Sequence, residues 1–328
     1  MDRAEAGYEA HRPLNILGDA MKSEFRGMFL QLGKNMWRDV GFGEADDDCA
    51  KDYLRFDENV WKRLTDRMVE KGFNAVVIDL GEGCAYPSHP ELAVKGTWTV
   101  EKMRKELARL RGIGIEPIPK LNFSTCHDTW LKEYGRMVST PEYYKVCADV
   151  IRDVCEIFDK PRLLHLGYDE ENFGNQRQYA YAVKRQGELW WHDFNFFVRT
   201  VEGLGVRPWI WSDYIWGHKD EFLKRMPKSV MQSNWYYRQW FDFETIPKER
   251  RAHLGAFIDL EKAGFDQIPC GSNWACDENI AGVVRFCRKH IAPERLHGFL
   301  MTTWGGTLPE CEKKLLKGID LAGAAFSA

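Results

Sequence analysis

Eight short apolar runs, each typical of a buried strand, are separated along the 328-residue chain by stretches with helical periodicity. The runs lie at 27–32, 74–80, 113–121, 162–167, 207–211, 229–233, 265–272 and 296–302. Successive strand–helix units of this number predict an α/β fold, the (β/α)8 or TIM barrel. A doubly wound open sheet is the alternative, but it usually has fewer strands and a glycine-rich turn after the first, which this sequence lacks.

Two helix boundaries follow from local signals. Ser139 and Glu142 have the spacing of a capping box, with a proline between them that suits a first helical turn, so a long helix is predicted from Ser139. A second helix is predicted over 178–203. Since no low-complexity linker interrupts the pattern, we predict a single barrel domain over 1–328, with 1–24 as an N-terminal extension.

Charge and apolar content exclude several classes of partner. The chain has 46 basic and 49 acidic residues, a net charge of −3, and therefore no excess of basic residues for nucleic acid or an anionic membrane. No apolar run approaches the roughly 18 residues of a membrane span. The N-terminus has no apolar signal segment, which predicts a cytoplasmic location; a periplasmic or secreted location stays open if a longer natural chain carries one. No cofactor is predicted, and the oligomeric state stays open.

Three acidic residues directly follow the fourth apolar run, in the segment His165-Leu-Gly-Tyr-Asp169-Glu170-Glu171. An acidic loop of this kind can simply be solvated, or can precede a helix whose N-terminus favours carboxylates. In a barrel, however, the residues that follow a strand lie at the face that carries the active site. The position of the acids therefore favours a catalytic role.

The same segment resembles the His-x-Gly-Gly-Asp-Glu signature of the family 20 glycoside hydrolases, the β-N-acetylhexosaminidases, with Tyr168 in place of the second glycine. Phe25-Arg26-Gly27 is similar to the entry strand of that family, in which the arginine binds sugar hydroxyls. The segment from Lys120 to His127 resembles its third-strand loop. Further similarities are the pocket tryptophans, matched by Trp211, Trp235 and Trp304, and a Trp-Tyr-x-Asp element, matched by Trp274-Ala-Cys-Asp277.

The resemblance implies a substrate-assisted reaction on a carbohydrate substrate, in which the 2-acetamido oxygen of the substrate attacks C1. Glu170 would be the general acid and then the general base, with a pKa raised by burial and by the charge of Asp169. Asp169 would orient the acetamido group, His127 would tune Glu170, and His165 would be structural. No metal is implied.

The sequence departs from the family pattern at two sugar contacts. Ala275 stands where the family has the tyrosine that binds the acetamido group, and Gly306 stands where it has a glutamate that holds sugar hydroxyls. A lost hydrogen-bonding group can change which substrate a site accepts. The candidates to replace these contacts are Tyr168, Asp213, Tyr214 and Tyr236.

Three other functions stay open on the sequence. A retaining glycosidase for a sugar without an acetamido group would need a nucleophile, Asp213 or Asp277, about 5–5.5 Å from Glu170. A carbohydrate-binding protein with a degenerate site would explain the two missing contacts. A metal-dependent enzyme would use His127 and His165 with the acids, although no HxH or HExxH spacing favours it.

Overall fold

The computed structural model describes residues 24–39, 41, 47–177 and 179–328, so the N-terminal extension, apart from residue 24, lies outside the described residues. The strands are β1 (Phe25–Gln31), β2 (Ala75–Asp79), β3 (Glu116–Lys120), β4 (Leu163–His165), β5 (Arg207–Trp211), β6 (Met231–Ser233), β7 (Cys270–Ser272) and β8 (Gly298–Thr302). The helices are α1 (Glu58–Glu70), α2 (Val100–Gly112), α3 (Pro141–Ile157), α4 (Phe173–Gln176), α5 (Gly187–Gly203), α6 (Ile215–Arg225), α7 (Arg251–Lys262), α8 (Asn279–His290) and α9 (Pro309–Ser327).

The eight strands form one parallel sheet in the order β6-β5-β4-β3-β2-β1-β8-β7. Its two edges meet through single parallel bridges, Gln232 with Gln267 and Trp235 with Cys270, which close the sheet into a barrel. The predicted (β/α)8 fold is confirmed. That residues 1–328 make up a single domain stays a prediction.

Two apolar layers follow from the alternation of side chains along each strand. In β1, Phe25 and Phe29 point into the barrel and join an inner cluster that includes Trp209 of β5. Met28 and Leu30, at the intervening positions, belong to the larger cluster between the barrel and its helices. The inner layer is therefore a packed core, and only the carboxyl end of the barrel is left for a ligand.

The predicted helix boundaries needed two corrections. The N-cap of α3 is Thr140, whose hydroxyl accepts from the Tyr143 N–H, and not Ser139, whose hydroxyl donates to Asp193 at 2.7 Å. The helix predicted over 178–203 begins only at Gly187. The residues just before it are instead held by Arg185, which is buried and donates to the carbonyl of Phe123 at 2.7 Å.

Two findings concern the chain as a whole. All nine cysteines lie within the described residues and are free thiols. In the part of the chain that the structure describes, no helix combines the length and apolarity that a bilayer crossing requires.

Candidate active site

An unusual backbone path brings two successive acidic side chains to the same cavity. After β4, Gly167, Tyr168 and Glu170 have φ values of +70°, +71° and +57°. A left-handed conformation costs a residue other than glycine about 1–2 kcal/mol. Tyr168 adopts a conformation that glycine takes without this cost, and its ring is held behind the site by Arg185 at 4.5 Å and Trp190 at 5.1 Å.

Asp169 is buried and held from the β3 side of the barrel. The Asn122 amide donates to its Oδ1 at 3.1 Å, and the hydroxyl of Ser124 donates to its backbone carbonyl. Gly167 leaves room for this contact, because a Cβ there would lie 2.2 Å from the Asn122 side-chain oxygen. The carboxylate of Asp169 therefore has a fixed orientation.

The imidazole of His127 joins the two acids. Its Nε2 lies 3.6 Å from Oδ2 of Asp169 and 3.4 Å from Oε2 of Glu170. Burial lowers the pKa of His127, but the charges of Asp169 and Glu170 outweigh burial and raise the pKa above its ordinary value. The two carboxylates thus favour the protonated form of His127.

Glu170 differs from the sequence-based expectation in its acidity. Burial raises its pKa, as expected, but contact with His127 outweighs burial and leaves the pKa of Glu170 below its ordinary value. The expected raised pKa is wrong: the sequence placed His127 beside Glu170, but it did not show that this contact, at 3.4 Å, outweighs burial. About a third of the Glu170 side chain (37%) is exposed, towards the cavity.

Asp213, in the loop after β5, holds the backbone of Glu170. Its Oδ2 accepts from the Glu170 N–H at 2.8 Å, and its Oδ1 is a buried atom with no hydrogen-bond partner among the described residues. Burial, followed by the charge of Asp169, raises the pKa of Asp213 to about 8. Asp213 lines a separate cavity of about 300 Å³ on the far side of Glu170 and is absent from the lining of the main one. It is placed to position Glu170 and not to contact a ligand in the main cavity.

The main cavity has a volume of about 520 Å³ and lies at the carboxyl end of the barrel. Its lining combines Asp169 and Glu170 with a group of aromatic side chains, Trp37, Trp235, Tyr237, Trp274 and Trp304. Trp211 lies just beneath, buried, with its ring 6.0 Å from Trp304 and 4.4 Å from His165. Three of the four predicted tryptophans thus line the cavity, and the fourth supports it.

Arg26 and Asp277 lie away from the cavity. Arg26 is near the amino end of β1, five residues or roughly 17 Å before Gln31 at the cavity. It occupies an outward-facing position and contacts Glu24 at 3.4 Å, so the structure does not bring it to the cavity where it was predicted to bind sugar hydroxyls. Asp277 forms a surface ion pair with Lys317 and also does not line the cavity.

The other residues singled out in the sequence have structural contacts. His165 is buried, and its Nδ1 accepts from the Gly167 N–H at 3.0 Å, which agrees with the predicted structural role. Tyr168 points away from the cavity, and Tyr214 lines only the smaller one. Tyr236 lines the main cavity, but its hydroxyl donates to the carbonyl of Trp240 at 2.7 Å.

Sequence reasoning missed several residues that line the cavity. Trp37 follows β1 and contacts the ring of His127 at 5.0 Å, with no motif around it to mark it. Tyr237 and Arg238 follow the predicted Trp235 and Tyr236, so reading three residues past Trp235 would have found both. Arg250 and Lys34 also lie in loops without any local signature.

The trio of His127, Asp169 and Glu170 is also the place where the described residues could hold a metal ion. One ligand atom from each lies within 4.8 Å of the others. A cation bound there would compete with the proton on His127, since a metal-binding imidazole must be neutral. The same atoms can serve proton transfer to a bound substrate.

Comparison with known proteins identifies the fold's relatives. No protein-family model and no curated protein sequence matches the chain. Among solved structures, it is similar to a GH20 exo-β-N-acetylglucosaminidase from Vibrio harveyi in complex with N-acetylglucosamine, with a TM-score of 0.60, 14% identity, and coverage of 92% of this chain and 54% of the other. A β-N-acetylhexosaminidase from Bacteroides fragilis gives a TM-score of 0.61 at 14% identity, with coverage of 91% of this chain and 66% of the other. Dispersin B gives a TM-score of 0.59 at 14% identity, with coverage of 93% of this chain and 100% of the other. The chain thus spans about half the length of the Vibrio protein and shares its barrel fold.

Proposed function

We propose that this protein is a glycoside hydrolase that removes terminal β-linked N-acetylhexosamine by a substrate-assisted, retaining reaction. The observation that carries the proposal is the pair of adjacent carboxylates, Asp169 and Glu170, joined by His127 on the wall of an aromatic cavity. The similar solved structures, which are β-N-acetylglucosaminidases and β-hexosaminidases by name, support the same reaction class.

In the first step, the acetamido oxygen of the substrate attacks C1 while Glu170 protonates the glycosidic oxygen. The C1–O bond breaks, the aglycone leaves as an alcohol, and a cyclic oxazolinium ion forms. Asp169 accepts the acetamido N–H and stabilises the positive charge that develops on the ring. Its hydrogen bond from Asn122 keeps the carboxylate in one orientation, as preorganised stabilisation requires.

The proton for this step comes from within the site. Before the substrate binds, we assign it to His127, because the pKa of His127 is raised and that of Glu170 is lowered. A bound sugar covers the exposed third of Glu170 and removes water from it, which raises the pKa of the carboxyl. His127 then passes its proton to Glu170. In the second step Glu170 takes a proton from the water that attacks C1, and the oxazolinium opens.

The aromatic walls suit a sugar ring, which has apolar faces and polar edges. Trp235 and Tyr237 form a stacked pair with ring centroids 4.9 Å apart, and Tyr237 contacts Thr302. Because Ala275 provides no phenol, Tyr237 is the cavity tyrosine that we assign to the acetamido group.

The test is turnover of aryl β-glycosides of N-acetylglucosamine, N-acetylgalactosamine, glucose and galactose. We expect hydrolysis of the N-acetylated pair only. Glu170→Gln should lose about 10²–10⁴-fold in kcat, the usual contribution of a general acid. Glu133→Gln, which neutralises an exposed glutamate outside the cavity, is the matched control. Wild-type turnover by the Glu170 variant, or hydrolysis of the glucoside alone, would refute the mechanism.

A further inference from the structure

Two arginines without acidic partners line the main cavity on the side of the β6–α7 connection. Arg238 and Arg250 both belong to this segment, and Lys34 lines the cavity from the β1 loop. In the part of the chain that the structure describes, no acidic side chain forms an ion pair with any of the three. A binding cavity that retains uncompensated guanidinium groups favours an anionic ligand.

Both arginines lie close enough to His253 for their positive charges to lower its pKa. Burial first, and then the charges of Arg250 and Arg238, lower the pKa of His253 to about 4. His253 also lines the cavity, where its ring stacks on Trp216 with centroids 3.6 Å apart. The imidazole is therefore neutral, and the arginines supply the positive charge on this side.

The backbone that carries Arg238 is rigid. Asn279 is fully buried, and its amide donates to the carbonyls of Tyr236 and Arg238 at 2.8 Å and 2.7 Å. A fixed backbone reduces the entropy lost when a guanidinium binds an oxyanion. The backbone of Arg238 is thus held in place before any ligand arrives, while its side chain is available to the ligand.

The acids of the cavity lie elsewhere. Asp169 and Glu170 surround His127, and Asp48 pairs with Arg38 at 3.0 Å. The acids and the arginines follow different strands, β4 and β6, which have one strand between them and lie roughly 10 Å apart in the barrel. An anionic group bound by the arginines would therefore belong to a neighbouring position of the same glycan and not to the reacting C1.

We propose that the cavity selects a glycan with an oxyanion, a sulfate, phosphate or carboxylate group, on the terminal N-acetylhexosamine or on the sugar linked to it. Arg238 and Arg250 bind this oxyanion, since the planar guanidinium matches two oxygens at once. This inference rests on the proposed function and adds the class of substrate to it.

Binding calorimetry on the Glu170→Gln protein tests the inference without turnover. The neutral probes are N-acetylglucosamine and the β-1,4-linked disaccharide of N-acetylglucosamine with glucose. The anionic probes are N-acetylglucosamine 6-sulfate, its 6-phosphate, and the disaccharide with glucuronate in place of glucose. We expect at least one anionic probe to bind about 10-fold or more tightly than its neutral counterpart, as charged hydrogen bonds allow, and this preference to weaken with salt. Which probe shows the preference identifies the source of the oxyanion.

The same preference should disappear in Arg238→Gln and in Arg250→Gln. Arg251→Gln makes the same change in net charge at an exposed residue next to Arg250 and outside the cavity lining, so it should keep the preference. Equal binding of neutral and anionic probes, or a preference that survives both variants, overturns this inference and leaves the proposed reaction intact. No binding of any probe, neutral or anionic, overturns both.

Discussion

Replacing Asp213 with asparagine tests whether the carboxyl of Asp213 is protonated in the active enzyme. The carboxyl of Asp213 accepts the Glu170 N–H at 2.8 Å, and its pKa of about 8 keeps it protonated and neutral at pH 7. Asparagine has the same shape, no charge, and an oxygen that can accept the same hydrogen bond. We therefore expect Asp213→Asn to retain kcat/KM within roughly threefold, which corresponds to less than about 0.7 kcal/mol.

Asp213→Ala should behave differently because it removes the acceptor. An unsatisfied buried N–H costs about 1–3 kcal/mol, and here it belongs to Glu170, whose left-handed backbone depends on its surroundings. If this cost raises the free energy of the conformation in which Glu170 is active, kcat/KM decreases roughly 5- to 150-fold. The assay is hydrolysis of an aryl β-N-acetylglucosaminide at pH 7, with circular dichroism as the control for folding. An asparagine variant as inactive as Glu170→Gln would refute the reasoning and favour an ionised Asp213 that acts as a nucleophile.

The same pair of proteins gives a second measurement that needs no substrate. The carboxyl of Asp213 loses its proton near the ordinary pKa of 3.8 in the unfolded chain, but only near pH 8 in the folded protein. Between about pH 4 and 8, unfolding therefore releases a proton, and the free energy of unfolding falls as the pH rises. Asparagine has no such dependence. The Tm advantage of Asp213→Asn over wild type should grow through this range, and a constant difference would contradict the raised pKa.

Three further predictions concern the surroundings of the site. In the proposed reaction the proton comes from His127, whose pKa is raised, so in His127→Gln only the carboxyl of Glu170 can hold it and the high-pH limb of kcat/KM should move to lower pH; an unchanged limb in the pH–rate profile would show that His127 does not supply this proton. Inside the barrel, Lys120 and Asp79 form a fully buried ion pair at 2.7 Å. Lys120→Met alone should lower the free energy of unfolding, measured by urea denaturation, by about 3–5 kcal/mol. The double variant Lys120→Met with Asp79→Leu should recover most of that stability. If the single and the double variant lose the same amount, the cost does not come from an unpaired buried charge. Tyr168→Gly relieves about 1–2 kcal/mol of left-handed strain but loses packing of about 3–5 kcal/mol, so a net destabilisation of roughly 1–4 kcal/mol is expected in the same assay.

The sequence predicted the barrel because strand and helix periodicities are local, and β5 was placed residue for residue. The strand predicted over 265–272 was too long. Only Cys270–Ser272 pairs with β8, and before it Gln267 forms isolated bridges only. Arg26 failed for a different reason. Side chains along a strand alternate between the inside and the outside of the barrel, and Arg26 falls on an outside position. The short motif around Arg26 does not show which of the two faces the arginine occupies.

The acids Asp169 and Glu170 could be found from the sequence because they directly follow a strand. Arg250 could not, because it lies twelve positions beyond Arg238 in the β6–α7 connection and only the fold brings it to the cavity. The pKa of Glu170 was misjudged although the sequence had named His127 as the residue that tunes it, because the sequence gives neither the distance between the two groups nor the direction of the effect. Its dominant neighbour, His127, comes from a different loop, more than forty residues away in sequence.

The left-handed Tyr168 has a consequence for how related sequences can drift. Its conformation is the one that glycine adopts without cost, yet its ring fills space between Trp190, Phe194 and Phe197 of α5. A mutation to glycine would relax the turn but leave a void in the helical layer, and a larger residue on α5 would have no room while tyrosine remains. Position 168 and this face of α5 are therefore expected to change together. In homologues with glycine before the two acids, bulkier side chains on α5 should occupy the volume that the tyrosine ring fills here.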